Sequence, residues 1–470
     1  MPKIFFIYPP LSSEERYSSA LGNSGGQQIP TGIFCLAAFM RSKGYDVKAI
    51  DAEGLKLSSQ DITAMIEEYQ PDFIGISSTT VAFHRAIEVA SDIKERFAAP
   101  IILGGPHVSA DYLHAMSFTV FDYAVYGEGE ISLLNLCEAL LKGETLNDLL
   151  GVIFRLESGE SIKNAPQPYI KDLDELPFPA YDLIPDISLY SPRPQNYKKL
   201  PVISIITSRG CPGQCTFCDR NVFGNRYRVR SARSVFEEIK MLREVYDVQE
   251  IYFNDDTFLI NKKRIIELFT LLKEAGIFIY WTCLSRINDV DEEFLKFMKE
   301  NGCWHISYGI ESGDQEVLKT IQKNVSLDKA RQIIAACNKL SIRTTGLFMI
   351  GHPTETIESI NKTIDFAISS NLDDGIASLY TPFPGTTFFD VIEEYGTLDR
   401  TDWAKYNYWR PVFVAKGLTQ DILLKKQKEF YRRFYFRPRT MIRYLKLFLG
   451  RGGFKRFITV VKTLGFFFQK

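Results

Sequence analysis

Three cysteines, Cys211, Cys215 and Cys218, fall within eight positions of this 470-residue chain. They lie in Thr207-Ser208-Arg209-Gly210-Cys211-Pro212-Gly213-Gln214-Cys215-Thr216-Phe217-Cys218, directly after the apolar run Val202 to Ile206. Thiolates are soft ligands and suit zinc or iron–sulfur centres. A zinc site would want a fourth nearby cysteine or histidine, and none follows for several dozen residues. Three thiolates at this spacing can wrap one face of a four-iron cluster and leave one iron open to a small ligand. Gly210, Pro212 and Gly213 let the loop fold tightly. Packing gives no reason for three thiols on a polar loop. The other cysteines (35, 137, 283, 303 and 337) are scattered singly through apolar or mixed stretches.

Further polar residues stand where apolar runs end. Asn254-Asp255-Asp256-Thr257-Phe258 and Tyr308-Gly309-Ile310-Glu311-Ser312-Gly313 each close one, as does Arg286 after Trp281-Thr282-Cys283-Leu284-Ser285. A guanidinium there can hold a carboxylate with two prongs. The plain readings are helix N-caps for Asp255 and Asp256 and a surface ion pair for Arg286. Nearer the N-terminus, Gly104-Gly105-Pro106-His107 and Tyr126-Gly127-Glu128-Gly129-Glu130 end successive runs. Close backbone approach at such glycines suits a large planar or phosphate-bearing ligand. No GxGxxG follows the first strand, which weakens a dinucleotide reading. His107 reads as lining that pocket; a loop histidine bonded to backbone is the alternative.

The elements that must position these residues alternate in type. Short apolar strands at 3–8, 47–51, 73–77, 101–103 and 123–125 alternate with amphipathic helices up to about 142, which predicts a doubly wound parallel sheet. Its ligand should lie beyond the C-terminal strand ends. Over 151–200 the pattern breaks into short strands and Pro-rich turns, a linker of which part is expected to pack on the second domain. A second alternation starts at 202, with strands near 250–253, 278–283, 304–308, 343–350 and 376–380. Six βα units suit a partial barrel. The fold class is α/β: a Rossmann-like domain over 1–145, a linker over 146–195, a partial (β/α)6 TIM-type barrel over 196–395 and a mostly helical region over 396–470. Net charge is −1, so the whole-molecule field favours no partner. The first residues are too short an apolar run for a leader, and no run is long enough to span a bilayer. The expected location is the cytoplasm, with thiols reduced.

CxxxCxxC with an aromatic before its last cysteine, at the end of the first strand of a six-unit barrel, resembles the radical S-adenosylmethionine (SAM) superfamily. The resemblance implies a 4Fe-4S cluster on Cys211, Cys215 and Cys218 and one-electron cleavage of SAM to a 5'-deoxyadenosyl radical. It also implies SAM contacts from Phe217, Asp255, Asp256, Arg286, Glu311, Ser312 and Gly346. The N-terminal segments, with Tyr8-Pro9-Pro10 and Pro30-Thr31-Gly32, resemble the cobalamin-binding domain that precedes the barrel in one large subfamily. There Ser78, Thr79, Gly104, Gly105, His107, Gly127 and Glu128 would line the pocket. Some such domains carry Asp-x-His-x-x-Gly with a cobalt-ligating histidine; here Asp51-Ala52-Glu53-Gly54 has none, so no cobalt ligand is expected from it.

The resemblance implies a cobalamin-dependent radical methyltransferase acting at an unactivated carbon. Ring or carbon–carbon bond formation without methyl transfer is the alternative, and a cluster- or cobalamin-binding sensor is the non-enzyme reading. An electron donor such as flavodoxin or ferredoxin is implied. From Lys425 to Lys470, 14 Lys or Arg stand against one acid, Glu429, with Tyr431, Phe434, Tyr435, Leu445, Phe448, Phe454, Phe457 and Phe466 to Phe468 interleaved. That pattern predicts contact with an anionic membrane surface and a lipid-like substrate. Packing on the barrel ranks second and nucleic acid last.

Overall fold

A computed structural model describes residues 1–17, 26–192 and 196–442. The first sheet contains β1 (Lys3–Tyr8), β2 (Asp46–Asp51), β3 (Phe73–Ser77), β4 (Ile101–Gly104), β5 (Tyr123–Val125), β6 (Val152–Arg155) and β7 (Ser161–Lys163), in the order β2-β1-β3-β4-β5-β6-β7. β1 to β5 pair in parallel, and β6 and β7 are antiparallel additions. The segment expected to be linker therefore starts by extending this sheet. Alternation along β1 explains the double layer. Ile4 and Phe6 pack with Ile33, Phe34 and Leu136 of helices Thr31–Ser42 and Gly129–Lys142. Phe5 and Ile7 pack with Ile62, Ile66, Ala86 and Val89 of helices Ser59–Tyr69 and Phe83–Lys94 on the other face.

Part of the linker beyond β7 is core: Ala180, Tyr181, Ile184, Ile187 and Tyr190 are buried and join the first sheet to the second. The second unit comprises β8 (Val202–Ile205), the two-residue ribbon strands β9 (Ser208–Arg209) and β10 (Arg228–Val229), then β11 (Glu250–Phe253), β12 (Tyr280–Ser285), β13 (Cys303–Glu311), β14 (Arg343–Ile350) and β15 (Asp374–Leu379). Its parallel sheet runs β15-β14-β13-β12-β11-β8, six strands with helices between them, as the alternation predicts.

Beyond the barrel come an antiparallel pair, β16 (Gly396–Leu398) and β17 (Phe413–Ala415), and helix Gln420–Tyr435. The pair stands beside the helix in a region expected to be mostly helical. The helix buries Leu423, Phe430, Tyr431 and Phe434, and its Tyr431 hydroxyl accepts from the Ala377 N–H of β15 at 3.1 Å. Tyr431 and Phe434 are therefore packed on the barrel, 5% and 0% exposed, and present no free apolar face. Leu445, Phe448, Phe454, Phe457 and Phe466 to Phe468 lie outside the described residues. Among the described residues no helix is long and apolar enough to cross a membrane.

Candidate active site

The cysteine loop is shaped by its flanks. After β8, the Asp255 carboxylate accepts from the Thr207 N–H at 3.0 Å, the Thr207 hydroxyl at 2.9 Å and the Ser208 hydroxyl. Arg264 donates to the Thr207 carbonyl at 2.9 Å. Gly210 then turns with φ +84°; a Cβ there would stand 2.3 Å from the Arg226 carbonyl oxygen. Only glycine fits both conditions. The Cys211 N–H donates to the Gly224 carbonyl at 3.3 Å and that of Thr216 to Ile321 at 3.1 Å, so the loop is pinned at both ends.

All three sulfurs open onto one wall of a cavity of about 700 Å³ between the two sheets. Burial pushes the Cys218 thiol up to about 12, with Asp256 and the other two thiols adding to the rise. Burial likewise raises Cys215. The positive charge of a metal cluster favours the thiolate forms at such a place. Among the described residues no group of three or more His, Cys, Asp and Glu side chains is drawn together as for a metal ion. Thiols ringing a wall suit a cluster, whose own atoms fill the space between them.

Phe217, Asp256 and Arg286 share this cavity with the sulfurs. The Arg286 Nε is buried and without a hydrogen-bond partner, and burial raises the Asp256 carboxyl. Lys323, which the sequence reading missed, joins them. It pairs with Glu311 at 3.0 Å and lies 5.8 Å from the centre of the Phe217 ring. Burial pulls its ammonium down, but Glu311 and Cys215 outweigh that and raise it. A bulge in β13, with Glu311 at φ +70°, aims this carboxylate. Gly309 makes the room, since a Cβ there would stand 2.6 Å from Glu311 Oε1.

Three expected SAM contacts sit elsewhere, and Glu311 meets the cavity only through Lys323. Asp255 is fully buried beneath the loop as its brace, because the turn after β11 puts the neighbouring Asp256 on the cavity side. Ser312 is spent on Thr363 at 3.0 Å and on the Asp314 N–H at 3.1 Å. Gly346 faces the helix layer, where a Cβ would meet Leu372 and Phe348.

On the opposite wall, Thr79, Gly104, Gly105, Gly127 and Glu128 line the cavity, as expected of strand ends in a parallel sheet. Ser78 and His107 do not. Ser78 is buried, its hydroxyl donating to the Thr79 carbonyl at 2.9 Å. His107 turns away to Thr80 at 3.2 Å and His114 at 3.1 Å. The cavity continues inward as an apolar slot between Phe6, Gly75, Ile102 and Val125 of the sheet and Ile33, Leu36 and Leu133 of the covering helices. A Cβ at Gly32 or Gly127 would meet nothing within 4 Å. The buried Thr79 hydroxyl has no hydrogen-bond partner. An open glycine cradle, an unpaired hydroxyl and a deep apolar slot fit a corrin with its nucleotide tail.

Buried ions tie the two walls together. Glu128 accepts from Arg209 at 3.0 Å, from Arg228 at 2.9 Å and from the Ile170 N–H at 2.9 Å, and Arg209 also pairs with Glu130.

Comparisons with known proteins identify both units of the chain. A model of the Radical SAM superfamily matches residues 205–367, and one of the B12 binding domain matches residues 17–136. An uncharacterized methyltransferase of Pyrococcus horikoshii is 35% identical over 448 residues, covering 94% of each chain. The anaerobic magnesium-protoporphyrin IX monomethyl ester cyclase of Rubrivivax gelatinosus is 28% identical over 444 residues, 92% of this chain and 77% of that one. Among solved structures, the cobalamin-dependent radical enzyme OxsB with aqua-cobalamin and SAM bound superposes with TM-score 0.74 at 17% identity, over 92% of this chain and 66% of that one. The radical SAM methyltransferase TsrM of Kitasatospora setae gives 0.68 at 17% identity, over 93% and 90%. With both domains matched and a relative this similar along nearly its whole length, the chain belongs to the radical SAM enzymes that carry a cobalamin-binding domain, with a 4Fe-4S cluster, SAM and cobalamin as cofactors.

Proposed function

We propose that the chain methylates an unactivated carbon of an apolar, lipid-like small molecule. The observation that carries this reading is the single cavity reached by both the cysteine loop and the strand ends of the first sheet. When bound, the three cofactors supply one-electron cleavage of a sulfonium and a methyl group for transfer. The chain's own residues bind and orient. Cys211, Cys215 and Cys218 hold the cluster, and Arg286 takes the methionine carboxylate of SAM. Asp256 takes its amino group, and Phe217 and the Lys323–Glu311 pair close that side. Thr79 donates to the nucleotide tail of cobalamin, which Gly104, Gly105 and Gly127 let the backbone approach. The apolar lining keeps water from the reacting carbon.

Incubation of reduced enzyme with methyl-labelled SAM and candidate apolar substrates tests the reading: label enters the product. Deoxyadenosine without label in product favours the second reading, cyclisation without methyl transfer, which the similarity to a cyclase supports. A flavodoxin or ferredoxin would supply the electron in the cytoplasm. Contact of the basic C-terminal residues with the inner membrane face is checked by flotation with anionic liposomes; failure to float removes that part.

A further inference from the structure

We propose that Glu128, Glu130, Arg209 and Arg228 are positioning residues that hold the cluster loop at a fixed distance from the cobalamin cradle. The inference rests on the two-cofactor reading above and adds residues to it. Arg209 and Arg228 are directly opposite one another on the β9–β10 ribbon. Two like charges at paired positions repel, yet both guanidiniums turn to the same carboxylate, Glu128, which stands between β5 and helix Gly129–Lys142. Glu130 offsets the second charge. The set is neutral and nearly dry: Glu128 is 3% exposed and each arginine 11%.

Apolar residues would fill such a place at no loss of stability, because buried ion pairs recover little beyond their desolvation cost. What a buried ion network adds is one geometry. Here that geometry links the two cofactor sites through few bonds. Glu128 directly follows Gly127 of the cobalamin cradle, and Arg209 stands two residues before Cys211. Arg228 also donates to the Ile170 carbonyl at 2.7 Å and to the Phe223 carbonyl at 3.1 Å, closing the same ribbon behind the cysteine loop. With the knot intact the cradle and the first thiol move as one body. With it cut, each wall keeps its cofactor while their separation spreads.

The test uses holoenzyme with cob(II)alamin and a reduced cluster, and measures how strongly the cluster spin speeds relaxation of the cobalt spin. This readout needs no substrate and no turnover. Parent enzyme should give one enhancement rate. Arg228→Gln, at a residue that does not line the cavity, should at unchanged iron and cobalamin content give a several-fold weaker and dispersed enhancement. A single unchanged rate at full occupancy overturns the proposal, since a merely structural role would lower thermal stability and leave the intercofactor distance alone. If Arg228→Gln does not accumulate as holoenzyme, Arg228→Lys carries the same measurement, with dispersion supporting and the parent rate overturning. Absence of deoxyadenosine from the parent would sink the functional reading instead, and leaves this distance measurement intact.

Discussion

Asp255 and Asp256 are adjacent carboxylates with opposite assignments, and sequence gives no means to divide them. The turn after β11 breaks strand alternation, and the difference lies in what each side chain meets: three donors under the cysteine loop for one, the open cavity for the other. Asp255→Ala leaves buried donors without an acceptor and should cost about 3 kcal/mol in denaturant unfolding. Asp256→Ala should leave unfolding within about 0.5 kcal/mol while weakening SAM binding, measured by titration of the reconstituted enzyme. Equal stability losses would contradict the division. The three cysteines were legible because their spacing is local. Glu128 and Arg209 were legible only as separate motifs, since their bond joins positions 81 apart in the chain. Lys323, a lone lysine in a turn, carried no signal.

The strands and helices were legible from apolar periodicity, and six barrel strands stand where it put them. Tertiary contact decides the rest. The Pro-rich stretch, expected as short strands and turns packed in part on the barrel, supplies a sheet edge and some of the core, and aromatic residues of the last described helix take the barrel packing that ranked behind a membrane surface. Gly210 shows how an element depends on one residue. Gly210→Ala combines a positive φ with a collision against the Arg226 carbonyl, so it should abolish iron loading after anaerobic reconstitution, measured as the loss of cluster absorbance. Full loading would show that the loop has another route.

His107, removed from the cofactor pocket, acts at the same scale. Trp403 can only donate, and its Nε1–H reaches His114 Nε2 at 3.1 Å. His114 must then donate from Nδ1 to His107 Nε2, and His107 from Nδ1 to Thr80. Both rings are neutral in this chain, which fastens the segment after the barrel to the first sheet. Burial holds His107 down at about 3, with His114 adding to it; burial also lowers His114, against Asp111. The unfolded chain therefore binds protons that the folded chain refuses between about pH 6.5 and 3, and stability falls as pH drops through that window. Asp51 and Glu355, raised to about 6 and about 7 by burial, act with the opposite sign. The comparison is thus between parent and His107→Asn: the difference in unfolding free energy between pH 7 and pH 5 should shrink in the variant. An unchanged difference would remove the latch.

For the whole molecule, the two-sheet layout and its cofactors could be anticipated because each half carries its own periodicity and motifs. How the halves face each other could not, since that rests on a shared core through Tyr181 and Ile187 and on buried ions between distant segments. Radical chemistry in this chain would depend on a four-iron cluster held by three cysteine sulfurs, with SAM and cobalamin beside it. Metal analysis and deoxyadenosine formation in one anaerobically reconstituted, dithionite-reduced preparation test this. Iron with matching sulfide, and deoxyadenosine that disappears in the Cys211→Ala, Cys215→Ala, Cys218→Ala triple variant, is the predicted result. Zinc in place of iron, or deoxyadenosine formed as well by the triple variant, would contradict it.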